Sequence, residues 1–158
     1  KAFSKLDKAV QLSDPEDYQD QWEWLNSQYQ ETGDEQYANQ LENLELQREG
    51  LIQRFEYCYE LFINTLRDLM LFQGAVKEEL NGNRAVLAEA LEKGYISEHD
   101  LWREMLLARN DTSHSYNHEI AVEVTRKIQT NHELLEDKNH LLFIHIFFLP
   151  WFPSISFL

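Results

Sequence analysis

From Glu35 to Phe72 the chain runs without a proline and with a single glycine, Gly50, and its apolar residues return at helical spacing. Leu51, Phe55, Cys58, Phe62, Leu66 and Leu69 form one stripe, with Ile52 and Tyr59 beside it. A helix this long and this one-sided must bury its stripe against other helices. Gly50 costs about 1 kcal/mol against alanine in a helix interior and marks a place for a kink. No stretch alternates with period two for long, and three prolines and five glycines are few for the turns of an all-β fold.

The flanking segments supply the partners. Phe3, Leu6, Ala9 and Val10 stand at helical spacing within Ala2 to Leu12. Ser13-Asp14-Pro15 is a cap followed by a proline, a signal for a new helix. Glu16 to Glu31 is very polar, relieved by Trp22, Trp24, Leu25 and Tyr29, and Gly33 ends it. Residues 13–40 read as an acidic helical insertion. Further on, Asn83 is placed to cap a short helix ending at Gly94. Ser97-Glu98-His99-Asp100 resembles a capping box opening a helix through Leu107 or Arg109. A last helix, capped by Ser115 or Asn117, carries Ile120, Val124, Ile128 and Leu135 on one face. The expected architecture is all-α, an antiparallel up-and-down bundle of four or five main helices in one domain over residues 1–140. A tail, 141–158, is nearly all apolar and aromatic. Pro150, Pro153 and His145 argue against a membrane span and for packing on the bundle or at a dimer interface.

Charge narrows the function. A net charge of −14 excludes a general nucleic-acid coat, which needs a basic face. RNA would have to be met by a local cationic pocket; an acidic surface equally suits a more basic protein partner. The single cysteine, Cys58, forms no internal disulfide, and no apolar leader opens the sequence, so the cytoplasm is the expected compartment. No glycine-rich loop with a lysine is present, so no nucleotide cofactor is expected.

Chemistry concentrates in Arg109-Asn110-Asp111-Thr112-Ser113-His114-Ser115-Tyr116. An arginine at a helix end offers a planar donor fork to phosphate, and a histidine beside the next helix titrates near neutrality. The free N–H groups of that next helix favour an anion. Metal-free RNA cleavage needs a base for the ribose 2′-hydroxyl, an acid for the leaving oxygen and stabilisation of the phosphorane. One histidine does not readily serve as both base and acid in one step. Two copies of the pair brought together across a two-fold axis supply both. The bland reading of the same spacing is an arginine that caps a helix carboxyl end.

The run Gln53-Arg54-Phe55-Glu56-Tyr57-Cys58-Tyr59-Glu60-Leu61 with Thr65-Leu66 resembles the long-helix motif of the HepT-like branch of the HEPN superfamily. Ala88-Glu89-Ala90, Gly94-Tyr95-Ile96, Leu101-Trp102, Met105 and the Arg109 to Tyr116 motif are similar in order and spacing, so the resemblance covers residues 48 to 130. The branch is also known as nucleotidyltransferase substrate-binding protein. The resemblance implies a dimeric helical bundle acting as the toxin of a two-component toxin–antitoxin module, a metal-independent endoribonuclease. It implies Arg109 and His114 as the catalytic pair and Asn110 as a phosphate-positioning residue. It implies Tyr116 as the tyrosine adenylylated by a cognate nucleotidyltransferase antitoxin, which would add bulk and negative charge beside the RNA phosphate. The acidic insertion, the apolar tail and the net charge depart from the pattern, and Asp111 would either orient His114 or repel substrate.

Other residues are weighed against plainer roles. His114 and His118 stand four apart, as metal ligands on a helix do, but a third ligand is not evident and no metal is expected. Glu56 and Glu60 read as polar-face or interface residues, Tyr57 and Tyr59 as packing residues rather than base-stacking platforms, the tryptophans as core or interface residues, and Cys58 as inert. The expected partners are a second copy, the nucleotidyltransferase and RNA, with neither DNA nor a membrane. The alternatives are a non-catalytic subunit presenting substrate to a nucleotidyltransferase, and a scaffold with a vestigial motif.

Overall fold

A computed structural model describes residues 2–11, 15–115 and 117–132 as an all-α helical bundle of six helices. The helices are α1 (Ala2–Gln11), α2 (Pro15–Thr32), α3 (Glu35–Phe72), α4 (Asn83–Glu92), α5 (His99–Asp111) and α6, described over 118–132. Short 3-10 turns cover Lys77–Leu80 and Thr112–His114. The apolar tail and Tyr116 lie outside the described residues.

The spine is α3, about 57 Å long at 1.5 Å per residue. Asp34 caps it by accepting a hydrogen bond from the Gln36 amide at 2.8 Å. It passes through Gly50 without interruption, since every residue from Glu35 to Phe72 keeps helical pairing. Its stripe from Leu51 to Met70 is buried, and α1, α2, α4 and α5 all pack on the helix. Leu6 enters the core from α1, Val86, Leu87 and Ala90 from α4, and Ala121, Val124 and Ile128 from α6. No residue between Glu35 and Gln47 is buried.

The polar segment folds back along α3 as an αα-hairpin with a two-residue link. Tyr18 and Leu25 are its buried anchors. Trp22 donates to Glu45 at 3.2 Å, and the exposed Trp24 meets Tyr37 edge-on. Behind it, Arg48 bonds to Nδ1 of His118 at 3.1 Å and lies over the Tyr18 ring at 5.2 Å.

Helix α5 is set against α3 by Trp102, which stacks on Phe62 with centroids 4.5 Å apart and planes 5° from parallel. Met105 and Ala108 continue the buried strip. Arg109 stands two turns beyond Trp102, at the edge of that strip.

Three local expectations change. Asn83 is the first residue of α4 rather than its cap, and Gly82 takes the cap position. At the start of α5 the cap position falls on Glu98, in a left-handed conformation at φ +60°, and its side chain makes no cap bond. Tyr57 is 63% exposed, whereas Tyr59 is fully buried. The two lie roughly 200° apart around a helix, so one of them must face away from the core.

Candidate active site

The motif begins in the last turn of α5, which extends past Arg109 to Asp111. A cation there is favoured by the carbonyl end of the helix. Helix α3 faces this turn with Glu56 and Glu60, one turn apart and thus on one side of the rod. Arg109 Nε donates to Glu60 Oε1 at 3.0 Å, and its Nη1 lies 3.4 Å from Glu56 Oε1. The three side chains are 28%, 39% and 34% exposed for Arg109, Glu60 and Glu56, so the cluster opens to solvent on one side.

Thr112 completes the cradle. Its hydroxyl accepts from Arg109 Nη1 at 3.2 Å. The same hydroxyl stands 2.6 Å from Glu56 Oε1 and 2.7 Å from the Arg109 carbonyl oxygen, two acceptors for one proton. Asn83 adds a weak bond from Nδ2 to Glu60 Oε1 at 3.4 Å. The guanidinium is therefore fixed through Nε and Nη1, and Nη2 has no partner among the described residues. Beneath it lies Tyr59, whose phenol is pushed up by burial and by the neighbouring Glu60 charge.

His114 ends the 3-10 turn and is exposed. Its carbonyl oxygen accepts from the Asn117 amide at 3.0 Å, and the Asn117 side chain accepts from the Ile120 amide at 3.3 Å, capping α6. Five helical steps separate Arg109 from His114, roughly 140° around the axis if the winding were wholly α-helical. Arg109 turns toward α3, and His114 is exposed. Asn110 is exposed beside them and lines a groove between α4 and α5 with Asn83, Arg84 and Arg103. Asp111 takes Lys127 Nζ at 3.4 Å. His118 points inward to Arg48 and Trp22, away from any pairing with His114 on a helix face.

The structure thus gathers Arg109, Asn110 and His114 at one end of α5. It adds Glu56 and Glu60, which the sequence reading left out of the site, and ties Thr112 of the motif to Arg109 and Glu56. Two carboxylates one turn apart on the same helix as the stripe were the available signal. What was missing was the knowledge that α5 would lie against that face.

Comparison with known proteins follows this geometry. Residues 1–139 match the family described as "Nucleotidyltransferase substrate binding protein like". A Haemophilus influenzae protein called "Probable ribonuclease HepT" is 35% identical over 82 residues. That alignment takes in 50% of this chain and 56% of the relative, so the chain spans little more than half of that relative's length.

Proposed function

As this chain belongs to the nucleotidyltransferase substrate-binding-protein-like family, we propose that it is a HepT-like endoribonuclease working without a metal, the toxin of a toxin–antitoxin pair. The observation that carries this reading is the cradle of Glu56, Glu60 and Thr112, which fixes Arg109 through Nε and Nη1 and leaves Nη2 without a partner among the described residues, beside an exposed His114.

In the proposed reaction the ribose 2′-oxygen attacks the adjacent phosphorus and loses its proton to one histidine. The bond to the 5′-oxygen breaks, and that oxygen takes a proton from a second histidine, leaving a 2′,3′-cyclic phosphate and a 5′-hydroxyl. Arg109 offsets the charge on the phosphorane, with Asn110 positioning the phosphate. The two histidines come from two copies of the chain in a homodimer, since one histidine does not readily serve as both base and acid in one step. Tyr116 is the proposed adenylylation site for a partner nucleotidyltransferase. The setting is the cytoplasm; among the described residues no helix is long and apolar enough to cross a membrane.

The test is cleavage of RNA in EDTA by chain shown by mass spectrometry to be unmodified at Tyr116, beside Arg109→Ala and His114→Ala. Cyclic phosphate ends that vanish in both variants support the reading. Intact RNA with the wild-type dimer refutes it. The second reading, a non-catalytic subunit that presents substrate to a nucleotidyltransferase, is favoured by the family's own description and by the charge of −14.

A further inference from the structure

In a chain of net charge −14, Lys5, Lys8 and Arg54 converge on one groove of about 840 Å³ between α1 and α3. Four cations elsewhere meet carboxylates, Lys93 with Glu89, Arg126 with Glu123, Lys127 with Asp111 and Arg109 in its cradle, while Arg84 and Arg103 line the groove between α4 and α5. None of the three groove cations has a carboxylate partner among the described residues. The groove wall is small and apolar at Ala2, Ala9 and Gly50. At Gly50 the nearest side-chain atom is Nη1 of Arg54, 3.7 Å from where a Cβ would stand, so this cation lies over the groove wall. Tyr57 stands on the rim, 63% exposed.

Several uncompensated cations along a trough suit an extended polyanion better than a single small anion. An exposed aromatic face among them adds a platform for a base, the combination that single-stranded nucleic acid uses. Tyr57 directly follows Glu56 of the Arg109 cradle and is turned by about 100° around α3 toward the groove. A strand leaving Arg109 therefore meets Tyr57 first and the three cations next. We propose that the α1–α3 groove carries the single-stranded RNA flanking the cleaved phosphate, with Lys5, Lys8 and Arg54 on phosphates and Tyr57 stacked on a base. This rests on the ribonuclease reading for the identity of the ligand.

The test uses the full chain carrying His114→Ala, so that a fluorescein-labelled single-stranded RNA of mixed sequence stays intact while its binding is titrated over a range of salt. All four groove side chains are on the surface, and circular dichroism checks that the variants fold. Lys5→Gln/Lys8→Gln/Arg54→Gln is expected to weaken binding and to make the salt dependence shallower by about 2, from roughly 0.7 per phosphate contact. Tyr57→Ala is expected to weaken binding roughly fivefold or more with the salt slope unchanged. Binding that neither change alters overturns the groove assignment, even if the wild type cleaves RNA and the ribonuclease reading stands. Binding lost in the triple variant while the wild type cleaves nothing supports the groove and removes the ribonuclease. A triple variant that binds RNA like its parent but no longer sediments as a dimer assigns the groove to protein contact instead, and also overturns the proposal.

Discussion

Arg109 takes its partners from a different helix, so its behaviour depends on residues far earlier in the chain. Glu56 and Glu60 hold the guanidinium in place and also cancel its charge, two effects that substitution separates. Glu60→Gln keeps an acceptor for Nε and removes a negative charge, so KM for RNA should fall with kcat little changed. Glu60→Ala releases Nε and should lower kcat about tenfold, roughly 1.4 kcal/mol in the barrier. Steady-state kinetics of the two variants check both; equal kinetics would mean that the carboxylate does not position Arg109. Cys58 offers a second test at this scale. Burial pushes its thiol up to about 11, so almost no thiolate exists near pH 8. A disulfide exchange reagent should leave it unmodified in the native protein and react at once in denaturant. Its burial was legible because it lies in the apolar stripe. The exposure of Tyr57 was legible in principle too, since Tyr59 already claimed the core side. Arg109 and His114 stood out by spacing, but the glutamates did not, because a single helix says nothing about which neighbour will cover a given face.

The helices themselves were the most readable feature. The limits of α3 and the stop at Gly94, where φ is +72°, follow from periodicity and punctuation. The start of α5 did not, because Glu98 adopts a left-handed conformation that the Ser97-to-Asp100 pattern does not announce. At Gly50 the helical pairing continues unbroken. Gly50→Ala should then stabilise the protein by about 0.5–1 kcal/mol, since the added methyl meets only Arg54 at an ordinary distance. A raised thermal midpoint checks this. The docking of α2 carries a pH dependence. His118 is held below its usual 6.5, first by burial and then by the Arg48 charge, against the opposing pull of Glu45, Glu119 and Glu23. Its contribution is fully present above about pH 6.5 and is lost as the pH falls through its lowered value. Urea midpoints at about pH 7.5 and pH 5.5 should differ less in His118→Asn than in the wild type.

At the scale of the whole molecule the composite site makes a quantitative demand. If each site needs a histidine from both copies, a mixed dimer with one His114→Ala chain is inactive. Refolding wild type with a threefold excess of that variant should leave about one quarter of the activity per wild-type chain. Undiminished activity would show that each chain works alone. The long spine has its own consequence. From Leu51 onward α3 lies under the bundle, but from Glu35 to Gln47 none of its residues is fully buried. Opening the far end exposes little apolar surface, whereas opening the near end requires the core to come apart. Amide hydrogens on one unbroken helix should therefore exchange with deuterium on two clocks, quickly around Asn39 and near the global unfolding limit around Phe62. The acidic hairpin can then come loose and re-form many times while Arg109, anchored to the slow half of the rod, stays where it is.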